Sequence, residues 1–456
     1  MIDLFLTAFV FALFAAGFRK PFVWVLAYAY IDVLAPQKIS WFLLQKLPIS
    51  LIAFALAFLG WAYADAKQGA RLTFRQLLLI VLLLYCGATT LSADLPEAAA
   101  QKWDWVWKAL LFAAFLPLTL RTRLRIEALA LTMVLAAGAI VISGSLKTLA
   151  SGGGYGTLRL FVSENAGLYE GSTLSMVSVA IIPLILWLGR FGTIFPKSKA
   201  VTLFAAALIF ACLLIPIGTE TRTGLVCLAL LGVLLLRSAK RRFLFLAMAG
   251  AVTLAAIPFL PASYTARMGT IESHAADQSA STRIAVWKWT LDYVADHPLG
   301  GGFDAYRGNR VTVETSKVQV GGNTTAITTE EAVDKARAYH SAYFEMLGEQ
   351  GWPGLALWLL LHGLGLVQME RVRRKLKASD KPEDRSDAAL ANALQQAHIV
   401  YLAGAAFLGI AFQPFVYMLV AMQIALARGV GQRADAARPR WSMPRRARPV
   451  APAATA

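Results

Sequence analysis

Apolar residues in this chain gather into repeated runs close to the length that crosses a bilayer, and this limits the fold more than any other feature. A spanning helix needs about 20 apolar residues, with a range of roughly 17 to 25. Candidate spans are Leu4 to Phe18, Pro21 to Leu34, Leu47 to Tyr63, Leu77 to Leu91, Val106 to Leu120, Ala128 to Ile142, Thr173 to Leu188, Val201 to Ile217, Gly224 to Leu236, Phe243 to Leu260 and Trp352 to Val367. A longer tract, Ile399 to Ala427, is broken at Gln413-Pro414, and a split there gives two short crossings. Hydrophobic residues are 57% of the 456 and charged ones 16%, so these runs have no water-facing polar stripe. The expected fold is therefore all-α: a polytopic integral membrane protein of about 12 transmembrane helices with a large helical loop on one side.

Loop charge supplies the orientation. Basic loops at Lys67, Arg71 and Arg75; Arg121, Arg123 and Arg125; Arg190, Lys197 and Lys199; Arg237 to Arg242; and Arg371 to Lys377 alternate with acidic or mixed ones. The excess of Lys and Arg places the first set in the cytoplasm. The net charge of +17 follows from that asymmetry, and no basic and aromatic groove motif accompanies it, so no nucleic-acid partner is expected. The division expected is a transmembrane bundle over 1–260, a non-cytoplasmic loop domain over 261–351, further transmembrane helices over 352–427 and a disordered basic cytoplasmic tail over 428–456. Both chain ends are expected inside, which requires the first two segments to merge or re-enter. Met1 to Gly17 lacks a charged start and a small-residue cleavage site, and reads as a retained segment. Cys86, Cys212 and Cys227 lie in apolar runs and read as packing residues.

The polar interlude from Ser281 to Leu355 carries the chemistry-bearing residues. Arg283 and Trp287 share a helix face by their spacing. Arg159, Arg222 and Arg267 join Arg283 on the non-cytoplasmic side, Arg222 in the tight connection Gly218-Thr-Glu220-Thr-Arg222-Thr-Gly224. Ionisable groups at the edge of hydrocarbon are costly and tend to mark function, and a guanidinium is shaped to hold phosphate by two parallel hydrogen bonds. The bland alternative pairs Arg222 with Glu220 or lets it snorkel to headgroups, and pairs Arg283 with Asp277 or Asp292. His340 can accept a proton near neutrality, whereas His274, His297, His362 and His398 read as structural. Gly300-Gly301-Gly302 follows Pro298 without a preceding strand and reads as a turn. Glu330 and Glu331 read as a solvated helix face, and Gly321 to Thr325 as a mobile or disordered insert. No metal motif or serine-nucleophile elbow is present in the sequence, and neither a metal nor a cofactor is expected.

Taken in order, Thr221-Arg222-Thr-Gly224, then Arg283-x-x-x-Trp287 leading to Asp296-His-Pro298-Leu-Gly300-Gly-Gly302, then Tyr339-His340-Ser-Ala-Tyr343 leading to Glu349-Gln-Gly351-Trp-Pro-Gly354, resemble the O-antigen ligase and polymerase superfamily of bacterial envelope glycosyltransferases. The resemblance covers most of the chain from about Gly154 onward. It implies a fold of the type C glycosyltransferase kind in the bacterial inner membrane, with the active site facing the periplasm. It implies a donor glycan on undecaprenyl pyrophosphate and, for a ligase, a lipid A core acceptor. The span-end arginine maps to Arg222, the loop arginine to Arg283 and the loop histidine to His340, with Arg159 and Arg267 as further pyrophosphate ligands. An O-antigen polymerase or a protein O-oligosaccharyltransferase of the same superfamily differs only in acceptor. A transporter of the lipid-linked glycan would need charged residues in mid-span, and the spans look almost free of them.

Overall fold

The computed structural model describes residues 2–65, 67, 72–150, 167–237, 241–243, 247, 250, 278–321 and 324–436. Arg159, Arg267, His274, Asp277, most of the expected span Phe243 to Leu260 and the tail beyond Ala436 lie outside them. The chain runs α1 (Ile2–Arg19), α2 (Phe22–Leu34), α3 (Pro36–Ile39), α4 (Leu43–Lys46), α5 (Ile49–Ala64), α6 (Phe74–Leu91), α7 (Pro96–Thr119), α8 (Arg123–Ala150), α9 (Gly171–Phe191), α10 (Lys199–Gly218) and α11 (Arg222–Leu236). It continues with α12 (Gln278–Asp296), β1 (Arg310–Gly321), β2 (Thr324–Lys335), α13 (Ala342–Leu376), α14 (Pro382–Ala405) and α15 (Pro414–Ala436). Seven described helices, α1, α6, α8, α9, α10, α13 and α15, are long and apolar enough to cross a membrane, and α2, α5 and α11 are shorter apolar helices. The protein is an all-α polytopic membrane protein.

Helix α9 is the axis of the bundle, packed against α8, α10, α11 and α14 and largely buried along its length. By contrast α10 turns most of its apolar side chains outward, as a helix facing lipid does. Ion pairs gather the basic loops at one end of the bundle. Arg125 pairs with Asp65 at 2.6 Å, Arg123 and Arg433 both pair with Asp387, and Arg237 pairs with Glu370 at 2.8 Å. The opposite end carries the polar interlude, and Asp94, just past α6, donates its N–H to the Gly301 carbonyl there at 2.9 Å.

Several expectations need correction. Asp3 accepts hydrogen bonds from Ser40 and the Trp41 amide at the interlude end, so α1 and α2 form a hairpin and do not merge into one helix. The last tract does split at Gln413-Pro414, as a proline that cannot continue a helix requires. Because α15 ends beside Arg433 and Asp387, the two ends of the described chain lie at opposite ends of the bundle. Helix α7 starts at Pro96, ten residues before the expected span Val106 to Leu120 begins. Helix α15 continues past Arg428 to Ala436, where tail was expected.

The interlude is also not wholly helical. β1 and β2 pair antiparallel, with Arg310 opposite Lys335 and Glu314 opposite Glu331. Glu330 and Glu331 therefore sit on a strand, and Gly321, Thr324 and Thr325 belong to the hairpin and are not a structureless insert. The reason is local: Val311-Thr-Val-Glu-Thr and Thr324-Thr-Ala-Ile-Thr-Thr are rich in β-branched residues and flank a Gly-Asn turn sequence.

Candidate functional site

Arg222 is held by a turn that has no spare room. Helix α10 ends at Gly218, Glu220 takes a left-handed backbone (φ 49°), and Arg222 already opens α11. A Cβ at Gly218 would come within 2.1 Å of the Thr148 hydroxyl, and one at Gly224 within 2.0 Å of the Ser175 hydroxyl. The turn is thus pressed onto the end of α8 and the first turns of α9, and the half-buried Arg222 emerges at the interlude end. Glu170 caps α9 here, accepting hydrogen bonds from the Ser172 amide at 3.0 Å and the Thr173 hydroxyl at 2.7 Å.

His340 faces this same corner. It adopts φ 48°, a left-handed conformation uncommon outside glycine, between buried Tyr339 and Ser341, the extended residue that begins α13. Trp287 fixes its backbone: the indole N–H donates to the Tyr339 carbonyl at 2.8 Å, and the ring stacks on Phe344 at 4.8 Å and 5°. Arg283, one turn earlier on α12, then lies within electrostatic reach of the imidazole. Desolvation, then the positive charges of Arg283 and Arg337, hold His340 below its ordinary pKa, and Glu170 opposes them. A histidine so placed is neutral at neutral pH and able to take a proton. The structure therefore brings His340, Arg283 and Glu170 together, with the Arg222 turn packed on the helix that Glu170 caps. Arg222 and Arg283 both engage other groups of the protein.

Beneath this corner lies a buried charge cluster that sequence reasoning missed. Lys102 of α7 donates to Glu345 at 2.6 Å and to Glu349 at 2.7 Å, with Asp304 at 3.8 Å. Each carboxylate also has a second partner. Glu345 accepts from the Ala411 amide at 2.9 Å, Glu349 from the Asp304 amide at 3.0 Å, and Asp304 pairs with Arg307 at 2.7 Å. One fully ringed cation thus ties α7, the glycine turn, α13 and the loop before α15 into one body. Glu345 and Glu349 share a face of α13 by their spacing, which the sequence offered; their partner 243 or more positions away it did not.

The two glycine motifs interlock with each other. Gly301 and Gly302 donate to the carbonyls of Gly348 and Glu349, both at 3.0 Å, and Trp352 donates to Pro298 at 3.0 Å. Gly351, at φ 63° and ψ −168°, kinks α13, and a Cβ on it would come within 2.3 Å of the Pro298 oxygen. Gly300, at φ 83°, would meet the Glu349 oxygen at 2.5 Å in the same way. Gly300 to Gly302 is a turn, as expected, and it clamps the helix that follows His340.

The bundle core is less free of polar groups than the sequence suggested. His362 and His398 lie 2.7 Å apart, Gln423 bonds His398 at 2.9 Å, and Arg75 bonds Gln423 at 2.9 Å and Gln368 at 3.1 Å. Arg75, expected in a basic cytoplasmic loop, is 4% exposed. His297 stacks on Tyr293, while the three cysteines are free and buried.

Residues 206–359 match the family model described as O-antigen ligase, which supports the O-antigen ligase/polymerase superfamily and a membrane glycan-transfer function. Residues 1–193 match a family of unknown function, DUF5935. No curated protein matches the chain.

Proposed function

We propose, from the match of residues 206–359 to that superfamily, that this protein is an O-antigen ligase. It transfers a glycan from undecaprenyl pyrophosphate to a lipid A core hydroxyl at the periplasmic face of the bacterial inner membrane. The observation that carries the reading is the corner where His340 lies within electrostatic reach of Arg283 and of Glu170, the residue that caps the helix against which the Arg222 turn is packed. In this reading His340 accepts the proton of the acceptor hydroxyl as its oxygen attacks the anomeric carbon. The bond from that carbon to the diphosphate oxygen breaks with the electron pair leaving on the diphosphate. Attack from the opposite face inverts the configuration.

Arg222 and Arg283 hold the diphosphate and stabilise the charge that develops on it, the kind of electrostatic contribution that commonly dominates such steps. Arg159 and Arg267 are proposed as further ligands of the same group. Diphosphate is already a good leaving group, so the proposed transfer is metal-independent. Arg222 touches the donor in ground and transition states alike, so Arg222→Ala weakens donor binding as well as transfer.

The acceptor decides between ligase, polymerase and protein O-oligosaccharyltransferase. The test offers purified protein a lipid-linked glycan with rough lipopolysaccharide, a second lipid-linked repeat unit or a serine-containing protein as acceptor. Product on rough lipopolysaccharide alone supports the ligase. Product only on the repeat unit or the protein overturns that assignment while keeping the transferase, and movement of the intact lipid-linked glycan without bond breaking overturns both.

A further inference from the structure

At the end of the bundle opposite His340, a cavity of about 180 Å³ opens between the start of α6 and the second half of α13. Thr73, Phe74, Arg75, Leu364, Gln368 and Arg371 line it, two guanidinium groups and no carboxylate. We propose that this cavity binds the phosphate of an anionic phospholipid from the cytoplasmic leaflet.

Four observations carry the assignment. First, Arg75 is 4% exposed and its Nε–H has no hydrogen-bond partner among the described residues, although its two terminal nitrogens bond Gln368 and Gln423. A buried guanidinium donor left unsatisfied is costly, and an anionic oxygen is the partner it accepts most strongly. Second, room for that guanidinium is built into the fold, because a Cβ at Gly365 would come within 2.4 Å of the Arg75 terminal nitrogen. Third, the N-terminus of α6, capped by Thr73 and Gln76, opens onto the cavity and adds the positive end of an 18-residue helix. Fourth, the nearby carboxylate is already engaged: Glu370 pairs with Arg237, Arg373 and Arg374, leaving Arg371 beside the cavity as an exposed cation.

The occupant is a lipid and not free phosphate because the exposed Phe74 lines the cavity and both helices that form it carry exposed apolar side chains. Exposed large hydrophobics run from it along one face of each helix by their spacing, Phe74, Leu77, Val81 and Leu84 on α6, and Leu360 and Val367, in register with the lining residue Leu364, on α13. In a bundle that crosses a membrane these faces meet acyl chains, so a headgroup in the cavity keeps its tails along α6 and α13. The bound phosphate would complete the Arg75 hub, which joins α6 to α13 and α15. Because α13 begins just after His340, such a lipid holds the far end of the helix on which the proposed site is built.

The test compares the full chain with Arg371→Ala, an exposed change that leaves the core intact. Both are purified in neutral detergent and titrated with phosphatidylglycerol, phosphatidylcholine or inorganic phosphate. Thermal unfolding and lipid retention by native mass spectrometry are read together. Phosphatidylglycerol is expected to raise the unfolding midpoint of the wild-type protein and to be retained, with affinity about fivefold weaker in Arg371→Ala. Arg75→Lys, which keeps a charge but loses the fork, is expected to lose retention where it folds. Equal affinity in wild type and Arg371→Ala overturns the proposal. So does an equal effect of phosphatidylcholine, or of inorganic phosphate without lipid.

Discussion

Replacing Gly351 by alanine tests whether the interlocked glycines hold the interlude to the bundle, and Gly363 on the same helix supplies the control. At φ 63° and ψ −168° the Gly351 backbone is in a region essentially reserved for glycine, which costs any other residue about 1–3 kcal/mol. The new methyl would also stand 2.3 Å from the Pro298 oxygen, 2.4 Å from the Leu299 carbonyl carbon and 2.6 Å from the Gly300 nitrogen, where ordinary contact starts at 3.4 Å. These are backbone atoms with no rotamer to change, so the turn must withdraw by about 1 Å, enough to break hydrogen bonds of this length. Three bonds of 3.0 Å cross that junction, each with a net value of about 0.5–1.5 kcal/mol. The expected loss is therefore between about 2.5 and 7.5 kcal/mol. A methyl placed on Gly363 would meet nothing within 4 Å, and the residue lies in regular helix, so Gly363→Ala should stabilise by about 0.5–1 kcal/mol. Denaturant unfolding in detergent, with transfer measured on the same samples, separates the two. If Gly351→Ala unfolds within about 0.5 kcal/mol of the wild type, the reasoning fails.

Three further outcomes are expected. His340→Ala should fold and bind the lipid-linked donor while transfer falls by about 10²- to 10⁴-fold, and turnover near wild type would remove the general base. With His340 held below its ordinary 6.5, the acid limb of kcat/KM should fall below that value; Arg283→Gln removes a charge that lowers the imidazole, so its limb should move to higher pH, and an unmoved limb separates the two residues. Lys102→Met leaves Glu345 and Glu349 buried without their cation and should destabilise by about 3–5 kcal/mol, read by denaturant unfolding; a change under about 1 kcal/mol would show that the cluster is not a structural tie.

What the sequence disclosed and withheld divides along the range of the interactions. The apolar runs found most spans, and the pair Gln413-Pro414 marked the break between α14 and α15, because both signals are local. The early start of α7 is hidden because Lys102 and Asp104 interrupt the apolar run, although Lys102 is neutralised by partners from α13. Arg75 was counted with the basic loops for the same reason: Gln368 and Gln423, which bury it, are remote in sequence. The β1–β2 hairpin is different, because the β-branched residues of its strands are legible in the sequence and are outweighed by the helical character of the rest. Of the proposed site, His340 and Arg283 were singled out and are brought together, whereas Glu170, which also faces His340, looked like an ordinary loop acid. Arg159 and Arg267 lie outside the described residues.

The mutual fit of Gly300 and Gly351 also governs how such proteins can be recombined. Each occupies volume that a side chain on the other's strand of backbone would claim, so a hybrid joined between residues 302 and 348 inherits the two halves of the clasp from different parents. Exchanging segments between such proteins would require moving both halves together, or cutting outside them altogether.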